Sequence, residues 1–121
     1  MKTLKIIALS VVCTLFASCS QKPITYKEIS QEEAKRIMDT ETCIILDVRT
    51  AEEYNEGHIE NAINIDHEEI NEKASTLLPD KKVKILVYCR SGRRSKIAAQ
   101  ALAEMGYTNV LEFGGIIDWK Y

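Results

Sequence analysis

The sequence predicts an α/β domain in which a mainly parallel five-stranded sheet carries helices on both faces. Strand-like and helix-like segments alternate from residue 24 to residue 121, which is the pattern that parallel sheets produce. The apolar residues of "CIILDV" run on without alternating with polar ones, as expected of a strand buried on both faces. With 121 residues, the chain has room for one domain with a single modest core.

The first half of this domain contains two predicted strands and two predicted helices. Residues 24–26, "ITY", are predicted to open the first strand. Ser30 followed by Glu33 forms a capping box and starts the first helix. "CIILDV" is the second strand, and Thr50 with Glu53 forms a second capping box that starts a short helix.

The second half continues the alternation with three strands and three helices. "AINI" is the third strand, and a helix from about Glu68 is stopped by Pro79. "VKILVY" is the fourth strand and ends at Cys89, before a helix over residues 95–105. "NVLEF" is the fifth strand, and a short last helix contains Trp119. The residues predicted to face inward from the two longer helices are Ile70, Ala74, Leu77 and Leu78, then Ile97, Ala98, Ala101, Leu102 and Met105.

The amino-terminal segment has the pattern of an export signal. Lys2 and Lys5 precede an uncharged apolar stretch at residues 6–17, which is too short for a comfortable transmembrane helix. "LFASC" resembles a bacterial lipobox, in which Cys19 becomes the first residue and carries lipid on its thiol. We therefore expect a signal peptide at 1–18, a tether at 19–23 and the domain at 24–121. Ordinary secretion and an uncleaved membrane anchor are the alternatives.

This pattern predicts an exported bacterial lipoprotein, anchored to a membrane and facing the periplasm or the cell exterior. The whole chain has 16 basic and 18 acidic residues, and loss of Lys2 and Lys5 with the signal would leave 14 basic residues against 18 acidic ones. Such a surface gives no reason to expect nucleic acid as a partner. We expect the protein to be a monomer.

Of the four cysteines, only one lies in a setting that suggests chemistry. Cys13 would leave with the signal, and Cys19 would be capped by lipid. Cys43 lies in an apolar strand, where cysteine usually behaves as a small hydrophobic residue. No disulfide is predicted, which leaves Cys89. The two histidines stand at no metal-ligand spacing from any cysteine, so we expect neither a metal nor another cofactor.

Cys89 opens the segment "CRSGRRS", residues 89–95, which we call the cysteine loop. The loop lies at the carboxyl end of a predicted parallel strand and before a helix amino terminus, where such sheets bind ligands. Unpaired backbone N–H groups at a helix amino terminus stabilise a thiolate, and Gly92 allows them to curl around an anion. Arg90, Arg93 and Arg94 add positive charge. The alternative interpretation is a buried end-of-strand cysteine followed by a solvated basic loop.

Four motifs, in this order and spacing, resemble the single-domain rhodanese family of sulfurtransferases: "LDVR", "EYNEGHIENAINI", "LVYCRSGRRS" and "GGIIDW". The resemblance implies a rhodanese-like three-layer domain with a persulfide-forming cysteine at Cys89. It also implies that Asp47 and Arg49 lie near the cysteine loop and, together with the loop residues, bind the substrate. The loop residues whose amides would hold the outer sulfur are Arg90, Ser91, Gly92, Arg93, Arg94 and Ser95. Asn61 stands where family members commonly have glycine, and asparagine tolerates the left-handed backbone next best.

We therefore expect a sulfurtransferase that moves a sulfane sulfur from an anionic donor, such as thiosulfate, to a thiol or cyanide. A cysteine phosphatase of similar fold needs an arginine after five intervening residues, and that position is Ser95 in this chain. An arsenate reductase is a weaker alternative. A non-catalytic or sulfur-carrier module is the alternative of a different class, and the presence of Cys89 argues against loss of the nucleophile.

Overall fold

The computed structural model describes residues 23–121. Five strands form one sheet in the order β1-β5-β4-β2-β3, and every neighbouring pair is parallel. Their bounds are β1, Lys27–Glu28; β2, Ile44–Asp47; β3, Ile63–Asn64; β4, Ile85–Cys89; and β5, Val110–Gly115. The central strand β4 ends at Cys89, as the sequence predicts.

Four α-helices cover the sheet. Their bounds are α1, Gln31–Thr40; α2, Ala51–Glu56; α3, Ile70–Leu77; and α4, Arg93–Glu104, with 3-10 turns at His67–Glu69 and Ile116–Asp118. Residues of α1 and α2 pack on one face of the sheet, and residues of α3 and α4 pack on the other. The predicted three-layer α/β architecture is confirmed. Among residues 23–121, none of the helices combines the length and the apolar character that crossing a membrane requires.

The central strand divides its side chains between two cores. Ile85, Val87 and Cys89 face the core shared with α3 and α4, whereas Leu86 and Tyr88 face the core shared with α1. This follows from the alternation of side chains along a strand. All five residues are buried, because β4 has a parallel neighbour on each side and helices over both faces.

The first strand is displaced from its predicted position. It forms at Lys27–Glu28, where it pairs with Leu111 and Glu112 of β5, and Ile24 is exposed. The composition of "ITY" is therefore insufficient to locate an edge strand, because the pairing register with β5 decides where the strand forms.

The Thr50–Glu53 capping box forms in both directions. At α1, Ser30 accepts from the Glu33 N–H, but the Glu33 carboxylate binds Arg36 instead of completing the box.

Two residues predicted to face inward are exposed: Leu77 is 50% and Ile97 is 49% exposed. In α4 the buried positions are Ser95, Ala98, Ala99, Leu102 and Ala103. Most of these buried side chains are small, so the helix can lie close to the sheet with this face inward. Ile97 then lies at the exposed edge of the helix.

Asn61 has φ 70°, so the expected left-handed turn forms without glycine.

Candidate active site

The cysteine loop places the Cys89 sulfur in a pocket of backbone N–H groups. Cys89 is 1% exposed, and its Sγ accepts a hydrogen bond from the Gly92 N–H at 3.0 Å. Burial raises the pKa of the thiol, but hydrogen bonds from the Ser95 hydroxyl and the Ser95, Gly92 and Ser91 amides lower the pKa by more. The net effect is a thiol pKa below its usual value, which favours the nucleophilic thiolate.

Two glycines make this curled loop possible. Gly92 has φ 108°, in the left-handed region, and immediately precedes α4. Gly115 lies opposite Cys89 in the sheet register, and a Cβ on it would stand 2.1 Å from the Arg90 carbonyl oxygen. The function of Gly115 is to let the cysteine loop lie directly against β5.

The three arginines of the loop are not equivalent. Arg94 donates from both terminal nitrogens to Glu53, at 2.6 and 2.9 Å, so it connects α4 to α2. This pairing with Arg94 lowers the pKa of Glu53 to about 2. Arg90 and Arg93 are exposed and, within residues 23–121, neither side chain makes a hydrogen bond or an ion pair. The predicted free positive charge at the loop therefore belongs to Arg90 and Arg93.

Asp47 and Arg49 form a buried pair beside the loop. Asp47 is fully buried and accepts from the Arg49 Nε, Nη2 and backbone N–H and from the Tyr88 hydroxyl at 2.6 Å. Arg49 also donates to the Gly57 carbonyl oxygen. These contacts occupy the Asp47 oxygens and fix Tyr88 next to Cys89. The pair therefore lies next to the end of β4 that carries Cys89, and its predicted role in substrate binding stays a prediction.

One buried carboxylate near the loop was not identified from the sequence. Glu112 of β5 is 2% exposed and accepts from the Ser95 hydroxyl at 2.5 Å and the Gly114 N–H at 2.9 Å. A charged residue inside the apolar segment "NVLEF" was the available signal, because buried carboxylates are rare without a specific partner. Glu53 was identified only as a helix cap, not as the partner of Arg94.

The remaining candidates lie away from this chemistry. His58 is exposed, stacks on the Tyr54 ring at 3.7 Å and places Nδ1 2.9 Å from the Tyr54 carbonyl oxygen. Cys43 is half-buried, and burial raises the pKa of its thiol. Within residues 23–121, no three His, Cys, Asp or Glu side chains are placed to hold a metal ion. Cys19 lies outside the described residues.

Comparison with known proteins agrees with this geometry. A family model for the rhodanese-like domain matches residues 30–121. Thiosulfate sulfurtransferase PspE of Escherichia coli strain K12 is 45% identical over 73 residues, covering 60% of this chain and 70% of the relative. Thiosulfate sulfurtransferase GlpE of Coxiella burnetii is 36% identical over 96 residues, covering 78% and 88%. A solved structure described as a rhodanese with anions, from E. coli, has TM-score 0.61 and 42% identity, covering 64% of this chain and 92% of the other. The chain belongs to the rhodanese-like family of sulfurtransferases.

Proposed function

We propose that this protein transfers a sulfane sulfur from a small anionic donor, such as thiosulfate, to a thiol or cyanide through a persulfide on Cys89. The observation that carries the proposal is the environment of the Cys89 sulfur. Hydrogen bonds from the Ser95 hydroxyl and from the loop amides lower the pKa of the thiol despite its burial, and the same loop carries the exposed Arg90 and Arg93. The relatives named thiosulfate sulfurtransferases support the choice of donor.

The reaction is a double displacement. The Cys89 thiolate attacks the outer sulfur of thiosulfate, the S–S bond of the donor breaks, and sulfite leaves with the bonding electron pair. The persulfide left on Cys89 carries a negative charge, which the loop amides stabilise. Cyanide or a thiolate then attacks the outer sulfur, and Cys89 leaves as the thiolate with which the cycle began.

The same loop is poorly suited to phosphoryl transfer. The position at which a phosphatase needs an arginine is Ser95, which is buried. Arg94, one residue earlier, is held by Glu53 and points to α2. No arginine of the loop is therefore positioned to grip a phosphoryl group from the place that this chemistry requires.

We also propose that the mature protein is a monomeric lipoprotein, anchored to a membrane through Cys19 and facing the periplasm or the cell exterior. The support is the lipobox-like "LFASC" and the short polar tether that follows it. Sulfur donors and acceptors would then be those available in the periplasm or at the cell exterior.

Mass spectrometry and steady-state kinetics test the proposed chemistry. Protein treated with thiosulfate and kept free of reductant should gain the mass of one sulfur atom on Cys89, and cyanide should remove it. The double-reciprocal plots should be parallel as cyanide is varied. Cys89→Ser should abolish transfer, whereas Cys43→Ser, the matched control, should keep it. Transfer by Cys89→Ser, or phosphatase turnover without sulfur transfer by the wild type, would refute the proposal.

A further inference from the structure

The amino terminus of α1 is joined to the end of β5 by the side chain of Gln31. Gln31 is the first residue of α1, and its Nε2 donates to the Gly115 carbonyl oxygen at 2.8 Å and to the Phe113 carbonyl oxygen at 3.3 Å. Carbonyl oxygens two residues apart in a regular strand lie about 6.6 Å from each other. The left-handed bend at Gly114, with φ 95°, brings both within reach of one nitrogen.

This side chain continues a contact that the backbone of β1 begins. β1 is two residues long, and the N–H of Ile29, which follows it, donates to the Glu112 carbonyl oxygen at 2.9 Å. The chain then leaves the sheet, and Ser30 caps α1. β5 runs on to Gly115, where the Gln31 amide supplies hydrogen bonds in place of a neighbouring strand.

The end of β5 is also the surface against which the cysteine loop lies. Gly115 pairs with Cys89, and the register of β5 against β4 shifts just before this pair. Such a bulge interrupts the ladder, so the position of Gly115 depends on contacts from outside it. The Arg90 carbonyl oxygen lies against Gly115 and accepts from the Ile117 N–H at 3.2 Å. Any movement of this end of β5 therefore moves the loop.

The loop carries a hydrogen-bond donor to the reacting sulfur, since the Gly92 N–H lies 3.0 Å from Cys89 Sγ. We propose that Gln31 is a positioning residue for the reaction of Cys89: by holding the end of β5, it fixes the cysteine loop with the Gly92 N–H on the sulfur. Gln31 acts through Gly115 and Arg90 and not on the sulfur itself. The inference rests on Cys89 being the reacting thiol of the proposed function.

Charged groups near Gln31 decide which substitutions are informative. Gln31, Ser91 and Gly115 line an open cavity of about 520 Å³. The charged residues in its lining are Glu28, Lys96, Glu112 and Asp118. A new charge at residue 31 would act on the thiolate through its field, so the variants must be neutral. Gln31→Met keeps nearly the same length and lacks the donor, and Gln31→Asn keeps the amide but is one methylene shorter.

Gln100 offers a matched control. Its Nε2 also donates to a backbone carbonyl oxygen, that of Ile24, at 2.7 Å. It lies about two turns along α4 from Arg93, and its partner precedes β1. Gln100→Met therefore removes the same kind of hydrogen bond without touching the end of β5.

The test is the pH profile of Cys89 alkylation by iodoacetamide, followed by mass spectrometry of the peptide that contains Cys89. In Gln31→Met the loop loses its support, and the Gly92 N–H no longer stabilises the thiolate fully. The midpoint should rise by about half a pH unit, and alkylation below it should be about threefold slower. Gln31→Asn should shift in the same direction, and Gln100→Met should keep the wild-type midpoint.

Backbone hydrogen exchange measured by NMR locates the change. The N–H groups of Gly92 and Ile117 should exchange faster in Gln31→Met, whereas that of Val87, inside β4, should keep its wild-type protection. An equal increase at all three would mean that Gln31 acts on global stability, which overturns the inference.

The alkylation profiles decide in the same way. A wild-type midpoint in Gln31→Met overturns the inference, and so does an equal shift in Gln100→Met. If Gln31→Met does not fold, Gln31→Asn decides alone, and a wild-type midpoint there overturns the inference. Neither measurement requires a sulfur donor, so these outcomes are independent of whether the wild type transfers sulfur.

Discussion

Two cysteines of this chain show how the surroundings of one residue set its chemistry. Cys43 and Cys89 are both removed from water to some degree, and burial raises the pKa of each thiol. Only Cys89 has backbone amides and a hydroxyl directed at its sulfur, and these reverse the direction of its pKa shift. The sequence predicted Cys89 as the reacting cysteine because residue order alone places a strand, a glycine and a helix start around it.

At Gly115 the site has no room for any side chain. Gly115→Ala puts a Cβ against the Arg90 carbonyl, so the cysteine loop must move away from β5. We expect at least about a tenfold loss of kcat/KM for thiosulfate, because small displacements of catalytic groups are costly.

The control for Gly115→Ala is Gly106→Ala, which strains a left-handed backbone (φ 100°) but lies after α4, beside the Lys81 side chain. It should lower the Tm while leaving the activity of the folded protein intact. Equal loss of activity in the two variants would mean that Gly115 acts through stability alone.

At the scale of elements, the amino terminus of α4 concentrates positive charge where the helix dipole is also positive. No acidic residue lies in the first turn of α4 to offset Arg93 and Arg94. Glu53 of α2 supplies the missing charge for Arg94, and this contact between helices was not predictable from the sequence. Residues 53 and 94 are distant along the chain, and only the fold brings them together.

Arg90 and Arg93 are expected to serve donor capture and not folding. Arg90→Ala and Arg93→Ala should each raise KM for thiosulfate while Tm holds or rises slightly, because both side chains are exposed and unpaired within residues 23–121. Added salt should reduce kcat/KM of the wild type more than that of either variant. Unchanged kinetics in both variants would contradict a role for these charges.

Arg94→Ala should instead destabilise the protein in a pH-dependent way. Pairing with Arg94 lowers the folded-state pKa of Glu53 to about 2, so its contribution is present above the unfolded pKa near 4.5 and lost as pH falls towards 2. After allowance for partial exposure, we expect about 1–2 kcal/mol of unfolding free energy near neutral pH.

Thermal unfolding between about pH 6 and pH 2 checks the Arg94 prediction, since the variant should lose much of the wild-type pH dependence in that window. Arg36→Ala removes an exposed arginine from Glu33 and is the matched control, which should change the curve little. Identical unfolding curves for Arg94→Ala and the wild type would contradict the prediction for Arg94.

For the whole molecule, the alternation of segments was sufficient to predict the architecture. Buried strands such as β2 and β4 fell where unbroken apolar residues indicated, because both faces of these strands are covered. The edge strand β1 did not form where the sequence indicated, because its position depends on hydrogen bonds to β5 and not on its own composition. The contact between Glu112 and Ser95 was not predictable for the same reason, because it depends on the register of β5 against β4 and the cysteine loop.

The amino-terminal prediction also belongs to the whole molecule. If Cys19 is lipidated, the wild type should partition with membranes, and its first residue should be a modified cysteine. Cys19→Ala should release the domain into the soluble fraction or leave the signal uncleaved, with thiosulfate activity retained. A wild-type protein found wholly in the soluble fraction, with an unmodified amino terminus at another residue, would exclude the lipoprotein.

The recessed position of the Cys89 sulfur also bears on which of two sulfur atoms an acceptor can strike. In a persulfide, attack on the inner sulfur yields a mixed disulfide and hydrosulfide, whereas attack on the outer sulfur delivers sulfur to the acceptor. Cys89 is 1% exposed, and the second sulfur would extend about 2 Å beyond it. An approaching thiolate therefore meets the outer atom first. In the proposed mechanism, the depth of the pocket would thus direct the persulfide towards donation and protect the enzyme from being trapped as a disulfide with its own acceptor.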